Sequence, residues 1–268
     1  MGGSLALALR GQCASISGYD PDSNAISLAL EKQIVSYASQ DLRSVLERAD
    51  LVILAAPVLS IISCLHDLPD LLPQQAIIMD IGSTKKDIVE AMATLPPRFD
   101  PIGGHPMCGK ETSSLRNAEA ALFHGKPFVL VPLLRTSPHA QMIAKQLVEA
   151  VEAHPLIMDA PTHDQWTAVT SHLPYLLSSA LVLSTPLEVA PLIGPGYRST
   201  TRLALSSPNM MVDVLVTNRV HLLQAIARFR IQLDELEKHI IQDEDQKLRK
   251  ALTDVVAQFT RLTQNLQS

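Results

Sequence analysis

The feature that most restricts the fold is an alternation that runs through the first 160 residues and then stops. Short apolar runs recur: "CASISGYD" (13–20), "IVSYAS", "DLVILAAP" (50–57), "QAIIMDIG" (75–82), "PFVLVPL" (127–133) and "HPLIMDA" (154–160). Between them lie stretches with helical spacing, among them "NAISLALEK", "DLRSVLERA", "VLSIISCLHDLPDLL" and "SPHAQMIAKQLVEAVEA". Brief runs that are apolar throughout suit strands buried on both faces, and strands separated by helices pair in parallel through crossovers. The expected fold is an α/β Rossmann-type doubly wound sheet. "STKKDIVEAMATL" reads as a helix opened by a Ser/Thr cap. Beyond residue 160 the strand pattern gives way to long helical stretches interrupted by a loop, "GPGYRST". In the last of them Leu222, Leu223, Ile226, Phe229, Leu233, Leu236 and Ile240 recur every three or four residues. Two domains follow: residues 1–160 with the sheet, and an all-α domain over 161–268.

Composition narrows the function. The chain is 47% hydrophobic and 18% charged, the balance of a folded protein. A net charge of −5 without a dense basic run argues against a nucleic-acid partner. No apolar stretch reaches the length of a membrane span, and no basic leader with a small-residue cleavage site opens the chain. Cys13, Cys64 and Cys108 are odd in number and widely spaced. They read as reduced thiols of a cytoplasmic protein rather than a disulfide framework or a metal site.

The N-terminus, "MGGSLALALRG", begins as a dinucleotide loop ends. A G-x-G-x-x-G turn joins the first strand to the first helix of such a domain, and Gly2 fits its third glycine. Asp20, 18 residues on, stands at the end of the next expected strand, where a carboxylate bonds ribose hydroxyls and repels a 2′-phosphate. NAD is therefore favoured over NADP. Read blandly, the glycines are a flexible start and Asp20 a turn residue of "DPDS".

Other side chains could carry chemistry. "IGGHPMCGKETS" (102–113) holds His105 in a Gly-rich loop, where a neutral imidazole could take a proton or simply be held by the turn. Ser83 in "IGSTKK" either caps a helix or reaches a substrate. His172 precedes Pro174 in "SHLPYL", which should kink or begin a helix. Arg198 and Arg202 of "GYRSTTR" make either a carboxylate clamp or a solvated loop. His163 and Asp164 read as a pair or as a helix N-terminus.

Taken in order, "GGSLALALRG", "GYDPD", "ADLVILAAPV", "DIGSTK", "GGHPMCG", "HD…SHLP" and "GYRSTTR" span nearly the whole chain. This succession resembles the prephenate/arogenate dehydrogenases of tyrosine biosynthesis. The resemblance implies a Rossmann domain, an all-α dimerisation domain, and NAD-dependent oxidative decarboxylation of a small-molecule substrate, a cyclohexadiene ring bearing a 4-hydroxyl. It implies that His105 takes the hydroxyl proton, that Ser83 stands near that hydroxyl, and that Arg202 binds a substrate carboxylate, with Tyr175 and His172 beside the substrate. Gly2, Asp20, Ala56 and Pro57 would border the cofactor, and the C-terminal helices would form a homodimer. Two departures stand out. Tyr175 in "HLPY" replaces a family histidine, which opens the choice between prephenate and arogenate. The first strand and two loop glycines that precede "GGS" in the family are not in this sequence, which suggests an internal start or a shortened chain. Two rival readings are a β-hydroxyacid-type dehydrogenase, disfavoured because no lysine lies between His163 and Arg198, and a catalytically impaired helical dimer with a regulatory role.

Overall fold

A computed structural model describes residues 1–110 and 114–264. The last three residues of the "IGGHPMCGKETS" segment lie outside the described residues. Two compact units divide the chain, Met1–Arg219 and Val220–Ser268.

The first unit opens with α1 (Gly2–Ala8), β1 (Ser17–Tyr19), α2 (Ser23–Glu31), β2 (Tyr37–Ser39), α3 (Leu42–Leu46) and β3 (Leu51–Leu54). It continues through α4 (Val58–Leu71), β4 (Ala76–Asp80), α5 (Lys86–Ala93), β5 (Phe99–Pro106), β6 (Pro127–Pro132), α6 (Pro138–Ala150) and β7 (His154–Ile157). Helices α7 (Ala160–Thr167), α8 (Leu173–Leu183), α9 (Pro195–Thr201) and α10 (Pro208–Thr217) follow, and α11 (Arg219–Ile241) begins at the boundary. In the second unit the rest of α11 leads to α12 (Asp245–Gln264).

The strands form two sheets, β1–β2 and β3–β4–β5–β6–β7. The doubly wound sheet is present in these two pieces, and the expectation of parallel pairing is corrected at one place: β5 and β6 run antiparallel while the other pairs are parallel. Strand β4 shows why its segment reads as a continuous apolar run. Successive side chains point to opposite faces. Ile78 enters a core with Ile61, Leu65, Leu68, Ile88 and Phe99. Ile77 and Met79 enter another with Leu5, Ile102, Phe128, Leu130 and Val148. Both faces are covered, so every residue of β4 is buried. Each such side chain contributes about 1.5–3 kcal/mol by leaving water.

Three further expectations are corrected. His105 is not in a loop: "FDPIGGHP" is β5, and His105 is its penultimate residue, paired with Val129. Helix α5 is not opened by Ser83 or Thr84; its N-cap is Lys85, which provides no side-chain cap. "PGYRSTT" is α9 rather than a loop, begun by Pro195, whose fixed φ suits the first helical turn. Arg198 lies within it and Arg202 at its end. "SHLPYL" behaves as its proline requires. Pro174 has no N–H for the helical ladder, and the preceding turn, Ala168–His172, widens to π geometry, with Leu173 N–H donating to Ala168 O.

Candidate active site

The carboxyl ends of parallel strands collect the loops that bind ligands in such sheets. Gly2, Ala56, Pro57, Asp20, Ser83 and His105 all lie at or just past that end of a strand or at the helix facing it. A Cβ on Gly2 would sit 3.0 Å from the Cβ of Ala55, just past β3, a tight contact that favours glycine there. Ala56 and Pro57 are exposed, and Pro57 starts α4. Asp20 follows β1, and its carboxylate accepts a hydrogen bond from Asp22 N–H at 2.9 Å. The residues around Gly2, Asp20 and Pro57 fit a dinucleotide: tight backbone for a pyrophosphate, a carboxylate for a ribose, and an open strand end.

The glycines that precede Ser83 and His105 are both held by a residue the sequence reading missed. The Asp80 carboxylate, fully buried at the end of β4, accepts from Gly82 N–H at 2.7 Å and from Gly104 N–H at 3.1 Å. The residues that follow those two amides are Ser83 and His105. Asp80 also pairs with Lys85 Nζ, which is equally buried. Gly104 permits the approach, because a Cβ there would meet Asp80 O at 2.6 Å. Burial drives the Lys85 ammonium below its ordinary pKa, while Asp80 works to raise it.

From the other side come His163 and Asp164 of α7. The pair reading of "THDQ" agrees with the structure, in which His163 and Asp164 are bonded; helix α7 itself begins earlier, at Ala160, where Asp159 accepts from Thr162 N–H at 2.8 Å. His163 Nδ1 lies 2.7 Å from Asp164 Oδ1, and His163 Nε2 lies 2.8 Å from His105 Nδ1. Asp164 does a second job. Its Oδ1 accepts from Lys85 N–H at 2.8 Å and its Oδ2 from Lys86 N–H at 2.9 Å, so it supplies the cap that α5 lacks locally. Burial works to raise the Asp164 pKa, but the hydrogen bonds from His163, Lys86 and Lys85 outweigh it, and the net shift is downward.

An ionised carboxylate only accepts hydrogen bonds, so His163 donates through Nδ1 and, when neutral, offers its Nε2 lone pair. His105 then donates through Nδ1, and its own Nε2 is left with the lone pair. Burial first, then the charges of His163, Lys85 and His172, hold the His105 pKa well below the ordinary 6.5. The arrangement can accept a proton at His105 Nε2 at neutral pH.

The remaining expected residues are distributed around α8 and α9. His172 is 1% exposed, and its Nδ1 lies 3.1 Å from Asn218 Nδ2. Tyr175 is partly buried against the core cluster that contains α4. Arg202 is exposed at the end of α9. Asp213 of α10 accepts from Leu59 N–H at 3.2 Å, in the first turn of α4. Asp80, Lys85 and Asn218 were not found from sequence. The only signal was the glycine set between Asp and Lys in "DIGSTK".

Known proteins agree with this layout. Two family models match: the prephenate dehydrogenase nucleotide-binding domain over residues 5–157, and the prephenate dehydrogenase dimerization domain over residues 159–254. A prephenate dehydrogenase of Bacillus subtilis is 30% identical over 258 residues, covering 92% of this chain and 70% of that protein. The crystal structure of prephenate dehydrogenase from A. aeolicus, in complex with hydroxyphenyl propionate and NAD+, superposes with a TM-score of 0.89 at 31% identity, covering 98% of this chain and 94% of the other. Synechocystis arogenate dehydrogenase gives a TM-score of 0.81 at 28% identity, covering 97% and 96%. The chain belongs to the prephenate dehydrogenase family. Its architecture is that of the family: a Rossmann-like, mostly parallel sheet followed by helices.

Proposed function

We propose that the chain catalyses the NAD-dependent oxidative decarboxylation of prephenate, arogenate or both, as a step of tyrosine biosynthesis. The observation that carries this reading is the Asp164–His163–His105 chain at the carboxyl end of the sheet. The relatives named above as prephenate and arogenate dehydrogenases, and the NAD+ in the A. aeolicus complex, support it.

Gly2, Asp20, Ala56 and Pro57 would hold the dinucleotide, which when bound supplies the hydride acceptor. His105 Nε2 accepts the proton of the ring 4-hydroxyl. His163 and Asp164 orient His105 and accommodate the positive charge it acquires. Ser83, which follows the Gly82 amide held by Asp80, positions the hydroxyl. Arg202 anchors a carboxylate, and His172 and Tyr175 contact the substrate. Loss of the ring carboxylate as CO2 leaves an aromatic ring, so the driving force is in the substrate. The protein's share is orientation, a base and a carboxylate anchor.

We assign residues 1–160 to the dinucleotide and 161–268 to substrate and self-association. A cytoplasmic homodimer through the C-terminal helices fits the match to a dimerization domain and the exposed Leu252, Val255, Val256, Phe259 and Leu262 of α12. Among the described residues no helix is long and apolar enough to cross a membrane.

Turnover of each substrate, followed as NADH formation, tests the reading. His105→Asn should lower turnover by about 10²–10⁴-fold with NAD affinity retained, the range for loss of a general base. Turnover close to that of the parent would remove His105 from the reaction.

A further inference from the structure

Asn218 is 2% exposed and sits where α10 meets α11. Its Nδ2 lies 2.6 Å from the main-chain oxygen of Asp164 and 3.1 Å from His172 Nδ1. A carbonyl oxygen can only accept, so the group facing it is the amide nitrogen, and that nitrogen donates to His172 Nδ1 as well. Accepting at Nδ1 leaves a neutral His172 with its proton on Nε2. Burial is the main cause that holds His172 neutral, and its pKa falls to about 4.

His172 Nε2 is buried and has no hydrogen-bonding partner among the described residues. A buried N–H left without an acceptor is costly, so such a group in a native fold calls for an explanation. The explanation lies in its surroundings: Asn218 Nδ2 bonds both His172 and the main chain of Asp164, and the Asp164 carboxylate holds His163, which in turn meets His105. It also closes the widened turn Ala168–His172, an irregularity that recurs at functional sites.

We propose that Asn218 is a positioning residue that fixes His172 in its Nε2–H form, so that His172 donates an uncharged hydrogen bond to an oxygen of the substrate bound beside His105. This rests on the catalytic reading above and extends it to a residue that contacts no substrate itself. The same amide ties His172 to the main chain of Asp164, so donor and proton acceptor share one support. An uncharged donor recognises an oxygen without adding a positive charge next to the base.

The test uses the full chain with 15N-labelled histidine. Long-range proton–nitrogen correlation spectra should show His172 protonated at Nε2 and bare at Nδ1. Adding NAD and hydroxyphenyl propionate should shift the Nε2–H signal. Asn218→Asp, nearly isosteric, places an acceptor opposite Nδ1 and should move the proton there. Asn218→Leu should give a mixture of the two forms. Both variants should raise the substrate KM about tenfold, as for one lost hydrogen bond, with kcat changed less and NAD affinity unchanged. A native spectrum with His172 protonated at Nδ1 would overturn the proposal without any variant, which covers the case in which Asn218→Leu does not fold. So would an unchanged KM in Asn218→Asp once the proton has moved. If the parent turns over neither prephenate nor arogenate, the catalytic reading fails. The native spectrum and its response to hydroxyphenyl propionate then still decide the role of Asn218.

Discussion

His105 Nδ1 and His163 Nε2 are 2.8 Å apart, with the two rings inclined at 68° and their centroids 5.0 Å apart. This edge-on meeting directs the N–H of one ring at the lone pair of the other. Because Asp164 fixes the far side of His163, the protonation of His105 is set from a carboxylate two residues away in the bonded chain. Each link can be broken separately.

Asp164→Asn exchanges a group that only accepts for one that can donate, so His163 no longer has a fixed form and α5 loses a charged cap. Turnover should fall by about 10²-fold or more, and the fold should lose about 1–3 kcal/mol as buried donors lose their partner. Steady-state kinetics and urea titration would report both. A stability loss with undiminished turnover would reduce Asp164 to a helix cap.

The pH response has a definite sign. The folded pKa of His172, about 4, lies below the ordinary 6.5, so between those values the unfolded chain binds more protons than the folded one. Stability therefore rises with pH across this window and is lost as pH falls from about 6.5 towards 4, by about 3 kcal/mol in all from this group. The downward displacement of His105 adds in the same direction. In kcat/KM the base must be neutral, so the acid limb should lie below pH 6.5. A limb at or above that value would mean that another group titrates.

Arg202→Ala should raise the KM for substrate by about 10–150-fold, the equivalent of a charge-assisted bond of roughly 1.5–3 kcal/mol. An unchanged KM would make Arg202 a surface residue of α9.

Asp20→Ser should weaken discrimination against NADP, since the carboxylate that repels a 2′-phosphate is gone. The ratio of kcat/KM for the two dinucleotides measures this. If it does not move, the bond from Asp22 N–H is the whole role of Asp20.

Sequence periodicity revealed β4 because both its faces are covered, which makes "AIIMD" an uninterrupted apolar run. It concealed β5, whose "FDPIGGHP" contains two prolines and two glycines, residue types depleted in strands. Those glycines answer to the approach of Val131 to Gly103 and of Asp80 to Gly104, contacts made across the sheet and invisible along the chain. The capping of α5 was misplaced for the same reason: Ser83 and Thr84 are the local candidates, but the cap is Asp164, 78 residues on from Lys86. His105, Ser83, His172 and Arg202 could be picked out because each sits in an unusual local setting of glycine, proline or charge. Asn218 has no such setting in "VTNRV", and only its buried neighbours give it a role.

The double duty of Asp164 also bears on how the chain folds. One carboxylate joins Lys85 and Lys86 to His163 and so reaches His105, 58 residues before His163. Contacts between residues so far apart in sequence close large loops and are slow to form. An intermediate with its helices made and its sheet paired, but with α7 not yet docked on α5, would hold His105 in an arbitrary ring orientation. Recovery of activity after dilution from denaturant is thus a clock for the final docking step, separate from the earlier return of helical signal.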